Sequence, residues 1–139
     1  MSEHQKHATI ARPEGGKIHR NEFAFIGAPC GIIQSLTSEI SKELGDFRVG
    51  YVDADHGSDG VEKEFFNQYT DKIGHHQISF DDANIEYSFR SLFNDSDLVL
   101  INGNHFLGDK QIVLINEKKK ESLHKKLDRL TNVLMFVLD

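Results

Sequence analysis

Residues 23–35 read FAFIGAPCGIIQS, and they say more about how this chain folds than any other stretch. The apolar run Glu22–Ile26 has the length of a buried strand, and Gly27 opens a short loop directly after it. Apolar residues then recur at helical spacing until Gly45, which is typical of a helix that ends at a glycine. We therefore expect a strand, a tight glycine loop and a helix at the start of the main domain.

The loop at Gly27 resembles a phosphate-binding loop (P-loop) that lacks its lysine. Such loops read G-x-x-x-x-G-K-[S/T] after a strand, so that backbone N–H groups and the lysine hold phosphates while the hydroxyl holds Mg²⁺. Aligned on Gly27, the last three places hold Ile32, Ile33 and Gln34. Backbone N–H groups at a helix start can still attract a small anion. We therefore favour a structural turn, or a site for another small anion, over a triphosphate site.

Strands and helices alternate along the rest of the chain. The patterns predict strands over 48–52, 76–80, 97–101, 111–115 and 133–138, and helices over 61–69, 85–93 and 117–130. The run 97–101 is almost wholly apolar, which is typical of a strand covered on both faces of a parallel sheet. Residues 22–139 are therefore predicted to form an α/β domain, a three-layer sandwich with a mainly parallel sheet. An N-terminal arm, 1–21, precedes it, and the turn signal at 14–16 predicts a short hairpin there.

Composition narrows the classes of function. A chain of 139 residues fits one domain, and its net charge of -6 argues against general nucleic-acid binding, which needs a basic face. The three lysines at 118–120 are interpreted as a solvated helix face. The single cysteine, Cys30, excludes an internal disulfide and a cysteine-based zinc cluster. Because the sequence shows no secretory segment and no bilayer-spanning apolar run, we expect a cytoplasmic protein with no membrane partner.

Three polar loops follow predicted parallel strands, at the edge of the sheet where ligands of such folds bind. They span residues 27–31, 53–60 and 102–108. The candidate ligand-binding or anion-binding residues in these loops are Gly27, Cys30, Gly31, Asp53, Asp55, His56, Asn102, Asn104 and His105.

Cys30 lies just before the predicted helix, where the helix dipole favours a reactive thiolate. No histidine is near it in the sequence, so a catalytic base is not visible and a small buried apolar role is preferred. Imidazole and carboxylate groups at 53–56, 75–76 and 105 would suit a divalent metal, but their spacing matches no strong metal signature. Asp53 is the best single candidate, because a carboxylate there is placed to hold magnesium or an activated water.

Three segments, in this order, resemble the molybdopterin-guanine dinucleotide biosynthesis protein B family. They are the Gly27 loop, RVGYVDADHG at 48–57 and DLVLING at 97–103. The family is a P-loop group associated with molybdenum cofactor maturation. Its corresponding segments resemble V-x-x-(I/V)-K-H-x-H-H-G and D-L-V-(L/I)-V-E-G. The likeness covers about residues 22–116.

The departures from that family fall on the positions that handle nucleotide. The positions that match are Gly27, His56, Gly57, Asp97 and Gly103. Ile33 stands in place of the phosphate lysine, and Gln34 in place of the residue whose hydroxyl holds magnesium. Asp53 replaces the second-strand lysine, and Asn102 replaces the Walker B-like acid. The resemblance therefore implies a degenerate P-loop scaffold that has lost GTP binding and hydrolysis.

The whole chain also resembles the amino-terminal extension of bacterial fusions with a molybdenum cofactor guanylyltransferase. The transferase's own L-A-G-G-x-S-x-R-M-G loop, which would bind GTP, is absent here. The resemblance implies an accessory, non-catalytic domain that supports guanylylation of molybdopterin by docking the transferase domain, fused or separate, or by binding the cofactor. The implied ligands are molybdopterin, or GTP with Mg²⁺ contacted through the partner domain.

Two other functions stay open. One is a metal-dependent nucleotide or phosphoester hydrolase that uses Asp53, Asp55 and His105. The other is a structural module that dimerises through the apolar strand 133–138 as a sheet edge. The chain ends one residue after that strand with no closing helix. We therefore expect the domain to have been excised from a longer protein.

Overall fold

The computed structural model describes residues 17–54, 67–80 and 90–138. The elements in these ranges are β1 Glu22–Ile26, α1 Cys30–Glu43, β2 Val49–Val52, β3 Asn67–Lys72, β4 His75–Phe80, β5 Leu98–Asn102, β6 Lys110–Ile115, α2 Lys120–His124, a 3₁₀ turn Leu127–Arg129 and β7 Val133–Leu138. Five strands form one sheet in the order β2-β5-β1-β6-β7, and all of its neighbours are parallel. The α/β class and the parallel sheet are thus confirmed.

Both faces of the sheet are covered, because alternate strand residues point to opposite sides. The face under α1 holds one cluster of buried residues: Phe25, Ala28, Ile33, Leu100 and Leu114. The opposite face holds two: Ile18, Ala24, Val52, Phe93, Val99 and Ile101 form one, and Ile26, Val113 and Leu123 of α2 form the other. The sheet is therefore the middle layer of three.

The central strand β1 determines where a ligand could bind. It pairs with β5 on one side and with β6 on the other. The chain leaves β1 towards β2 at one edge, whereas it leaves β6 towards β7 at the other edge. Loops that diverge in this way open a crevice outside the carboxyl ends of the strands, which is where α/β sheets bind ligands.

Gly27 makes the turn from β1 into α1. Its φ is +106°, and a Cβ at this position would lie 2.4 Å from the carbonyl oxygen of Leu114. Only glycine tolerates both conditions. Pro29 then caps the backbone of α1, because its carbonyl oxygen accepts hydrogen bonds from the N–H groups of Ile32 and Ile33.

The predicted helix over 61–69 is wrong in its last three residues, which belong to β3. Strands β3 and β4 form a separate antiparallel hairpin in which Tyr69 faces Ile78. Gly74, with φ +88°, lies in the two-residue turn between them. Aromatic and β-branched side chains favour a pleated strand over a helix here. Residues 61–66 lie outside the described ranges.

The predicted helix over 117–130 is too long, since the structure divides it into α2 and the 3₁₀ turn. Asn116 explains the late start, because its side-chain Oδ1 accepts the N–H of Lys118 and its carbonyl accepts the N–H of Lys119. Such local bonds compete with helix formation. In the described part of the chain, no helix has the length and apolar content to cross a membrane.

The remaining elements follow the predictions closely. The six strands predicted from residue 22 onwards all occur with bounds within one residue, and α1 begins and ends as the apolar spacing indicates. Of the helix predicted over 85–93, residues 90–92 are helical and the preceding ones lie outside the described ranges. In the N-terminal arm, residues 17–21 form bends rather than a strand, and 1–16 lie outside those ranges.

Strand β7 forms one edge of the sheet and is unusually apolar for an exposed strand. The residues at 37% to 83% exposure are Leu134, Met135, Phe136, Val137 and Leu138. Because they alternate in direction along the strand, apolar side chains are exposed on both faces of this edge.

Candidate functional site

The loop after β5 is tied to the Gly27 loop through one side chain. Asn104 accepts the backbone N–H of Gly27 on its Oδ1 at 3.3 Å and donates from Nδ2 to the carbonyl of Ala28 at 2.8 Å. The N–H of Gly103 also bonds the carbonyl of Phe25 at 2.8 Å. The predicted meeting of the loops after β1 and β5 is thus observed, and Asn104 holds it in place.

The Asp53 carboxylate accepts four hydrogen bonds on the β2 side of the crevice. Gln34 Nε2 and Tyr51 Oη donate to its Oδ2, each at 2.8 Å. Its Oδ1 accepts from Asn102 Nδ2 at 2.8 Å and from the N–H of Ala54 at 2.7 Å. A carboxylate offers about four lone-pair sites, and these donors fill them. We call Gln34, Tyr51, Asp53 and Asn102 the Asp53 cluster.

The cluster perturbs two titrations in opposite ways. Burial acts to raise the pKa of Asp53, but the hydrogen bonds from Gln34, Tyr51 and Asn102 outweigh it, so the pKa lies below its ordinary value. Burial raises the pKa of Tyr51 to about 12, helped by the hydrogen bond to the Asp53 carboxylate. Both pKa shifts favour the same state at neutral pH, in which the charged Asp53 carboxylate accepts a hydrogen bond from the neutral Tyr51 phenol.

Asn102 anchors the cluster to the sheet. It is fully buried at the end of β5, and its Oδ1 accepts the N–H of Asn104 at 3.1 Å. The Asn102 amide thus donates to Asp53 and accepts from the backbone of Asn104, the residue that binds the Gly27 loop. Ile33, which aligns with the missing lysine, is also fully buried, where it packs in the core under α1.

A cavity of about 240 Å³ lies on the other side of the crevice, next to Gly27. We call it the basic cavity, and its polar lining comprises Gly27, Cys30, Asn104, His105, Lys119, Ser122 and Lys126. Lys119 and Lys126 place two cations at this wall, although the chain as a whole is acidic. The interpretation of 118–120 as a solvated face is therefore incomplete, because Lys119 also lines this cavity.

Cys30 has a histidine beside it in space. Its Sγ lies 3.3 Å from His105 Nε2, although the two are 75 residues apart in sequence. Asn104 Nδ2 lies 3.7 Å from the same sulfur. Cys30 is half-buried rather than part of the core. The sequence held no signal for this pair, because the pair depends on β1 and β5 being neighbours, and parallel neighbours bring the loops that follow them together.

The other predicted site residues lie either outside the described residues or away from the crevice. Asp55 and His56 lie outside the described residues. Gly31 is exposed in the first turn of α1, outside the cavity lining. His76 lies in the β3–β4 hairpin, where its Nδ1 is 2.6 Å from the hydroxyl of Tyr69. Among the described residues, no group of three or more histidine, cysteine, aspartate or glutamate side chains is placed to hold a metal ion.

The crevice thus combines a satisfied carboxylate on its β2 side with a basic, thiol-bearing cavity beside β1. A scan of protein-family models and a search of curated protein sequences found no match to the chain. The chemistry available to the described residues is recognition of an anion by lysine and amide groups, together with reaction at a thiol.

Proposed function

We propose that this chain is a degenerate P-loop domain that serves as a non-catalytic accessory domain in molybdenum cofactor biosynthesis. In this role it docks a guanylyltransferase domain, or presents an anionic cofactor such as molybdopterin to it. The strand-loop-helix at Gly27, at the centre of a parallel sheet, supports the P-loop origin. The order of the three segments that resemble the molybdopterin-guanine dinucleotide biosynthesis protein B family supports the role in molybdenum cofactor biosynthesis.

The hydrogen-bonded Asp53 cluster is the single observation that carries the proposal. Gln34 and Asn102 occupy the two positions that would hold magnesium in an active relative, and both instead donate N–H groups to Asp53. A magnesium site needs free carboxylate oxygens. Because the two Asp53 oxygens accept four protein donors, this geometry favours a scaffold without nucleotide hydrolysis over a metal-dependent hydrolase.

The basic cavity supplies the binding part of the proposal. Lys119 and Lys126 put positive charge beside the Gly27 loop from the residues that flank α2, after β6, rather than from α1. Lysine binds phosphate as a point charge, so it needs no fixed direction of approach. An anionic cofactor could therefore be held here without the loop lysine of an active P-loop.

Thermal unfolding with added ligands tests this function. A ligand that binds the folded state raises the midpoint by mass action. We expect no shift with GTP and Mg²⁺, and a positive shift with molybdopterin that is lost in a Lys119→Gln, Lys126→Gln double variant. A Lys120→Gln, Lys125→Gln double variant is the matched control, because those lysines line a different cavity. A GTP shift that disappears in Asp53→Ala contradicts the proposal.

The docking part has its own assay. Guanylyl transfer by a molybdenum cofactor guanylyltransferase is measured with and without the chain, which we expect to raise the rate while showing no activity alone. The double lysine variants serve again as test and control. An unchanged rate, with no co-elution of the two proteins, removes the accessory role.

The exposed edge strand supports a second candidate, a structural module that dimerises through β7. Among the described strands, β7 pairs only with β6 and exposes apolar side chains, so its outer edge is a template for pairing with another copy. Sedimentation of wild type should then show a dimer that Phe136→Lys disrupts. Phe47→Lys is the control, since Phe47 is similarly exposed but lies outside β7. A monomeric wild type rejects this candidate.

A further inference from the structure

Cys30 is the one cysteine of the chain, and it lies outside the buried core. It is half-buried at a cavity wall, 3.3 Å from His105 Nε2. A thiol at this distance can share its proton with the imidazole, and the thiolate is the nucleophilic form. His105 is exposed, so the pair is open to solvent.

The charges around the pair indicate which electrophiles it meets. Lys119 and Lys126 line the same cavity as Cys30 and His105, whereas no described acidic side chain lines it. Two ammonium groups at a small cavity raise the local concentration of anions. The volume of about 240 Å³ suits a small molecule.

We propose that Cys30 is a covalent modification site for small carbon electrophiles that carry a carboxylate or phosphate. In the reaction, Sγ forms a bond to the electrophilic carbon, and the bond from that carbon to its leaving group breaks with its electron pair. The thiol proton passes to His105 Nε2. Lys119 and Lys126 hold the anionic group of the reagent. One equivalent reacts per chain, so the step requires no catalytic turnover.

This inference goes beyond the accessory function and does not depend on it. It needs neither nucleotide nor molybdopterin, and its probes contain neither. Binding of molybdopterin could fail while the thiol remains reactive, and the converse could also occur. The two proposals share only the basic cavity.

The test compares the rates at which iodoacetate, an anion, and iodoacetamide, its neutral analogue, alkylate the protein. Adducts that form on the wild type but not on Cys30→Ala report Cys30, because no other cysteine is present. We expect iodoacetate to react at least about tenfold faster with the folded chain than with the same chain unfolded in urea. Equal rates in the two states overturn the proposal.

Variants separate the histidine from the lysines. His105→Gln should slow both reagents about tenfold, as expected when a general base is lost. His124→Gln, an exposed histidine of α2, should have no effect. The Lys119→Gln, Lys126→Gln double variant should lower the iodoacetate-to-iodoacetamide rate ratio about fivefold, which is the effect of one close ion pair near water. The Lys120→Gln, Lys125→Gln control should keep the wild-type ratio.

Each result has a defined meaning. If His105→Gln keeps wild-type rates, the base assignment is wrong and the proposal fails. If both lysine pairs lower the ratio equally, the selectivity comes from net charge and the anionic specificity fails. Circular dichroism of each variant confirms that the fold is retained, so a change in the rate ratio cannot be ascribed to unfolding.

Discussion

The two sides of the crevice use their polar residues in opposite ways. On the β2 side, the donors of the Asp53 cluster all point at one carboxylate, and each short bond is made within the protein. On the β1 side, the lysines, the thiol and the imidazole line an open cavity. One side has its polar groups gathered on one carboxylate, whereas the other has them lining an open cavity.

On the P-loop origin proposed above, the β2 side is a nucleotide site changed into a structural element. The hydrogen bonds within the Asp53 cluster stabilise the fold, because unpaired buried groups there would be costly. The positive charge of the open side comes from Lys119 and Lys126, in a different part of the chain. Four predictions test this contrast: the first changes a residue that both sides share, and the other three act on the Asp53 side.

Gly27 is shared by both sides, so changing it should have the largest effect. Gly27→Ala forces a Cβ against the carbonyl of Leu114 at positive φ. We expect a loss of about 3 kcal/mol in the free energy of unfolding. Gly31→Ala is the control, because a Cβ there meets nothing within 4 Å. It should gain about 0.5 kcal/mol as a helical position. Urea unfolding measures both, and equal effects would contradict the role of Gly27.

Asp53→Ala should lower stability far more than Cys30→Ala. Removing the carboxylate leaves the buried amide of Asn102 without its acceptor, which costs about 2 kcal/mol. Cys30→Ala removes a half-buried sulfur from an open wall and should cost less than about 0.5 kcal/mol. Chemical denaturation of the three proteins gives the values. Similar losses would show that the open side is also structural.

Low pH should weaken the Asp53 side selectively. The pKa of Asp53 lies below its ordinary value, so its stabilisation is present above the unfolded pKa and is lost as the pH falls through the folded pKa. The free-energy gap between wild type and Asp53→Asn should therefore narrow between roughly pH 5 and pH 3. The gap between wild type and Cys30→Ala should stay constant there. The pKa of Asp97 is also lowered, by Arg48, but its effect on the free energy of unfolding is the same in all three proteins and cancels in the comparison.

Tyr51→Phe should have the smallest effect, because it removes one of four donors to Asp53 from a tyrosine that is only partly buried, at 38% exposure. We expect a loss of about 0.5 kcal/mol. The alkaline ultraviolet titration of the variant should lack the phenol with a pKa of about 12. A difference titration between wild type and variant isolates this group from the other two tyrosines. An ordinary tyrosine curve in the difference would contradict the cluster geometry.

The sheet was predictable because its strands are apolar and continuous. Residues 97–101 and 111–115 leave no polar face, and local pattern alone defines them. The segments 61–69 and 117–130 were less predictable. In the first, pairing across the β3–β4 hairpin overrides a helical pattern; in the second, the Asn116 turn delays the helix. Both outcomes depend on hydrogen bonds that the spacing of apolar residues along the chain does not reveal.

The candidate site was predictable only where strand ends define it. Gly27, Asp53 and Asn102 follow or end parallel strands, so their convergence follows from the fold class. The pairing of Cys30 with His105, and the contribution of Lys126, depend on strand order and on how the chain returns after β6. Composition and spacing give neither of these, because several strand orders satisfy the same alternation of elements.

The strand order has a consequence for how the protein acquires its structure. β1 and β2 follow each other in the chain, but β5 lies between them, with Glu22 opposite Val99. Neither early strand has a neighbour in this sheet until β5 is available, so the sheet contacts are nearly all long-range. Topologies of this kind fold slowly. During synthesis, the apolar β1 therefore leaves the ribosome well before the strands that bury it.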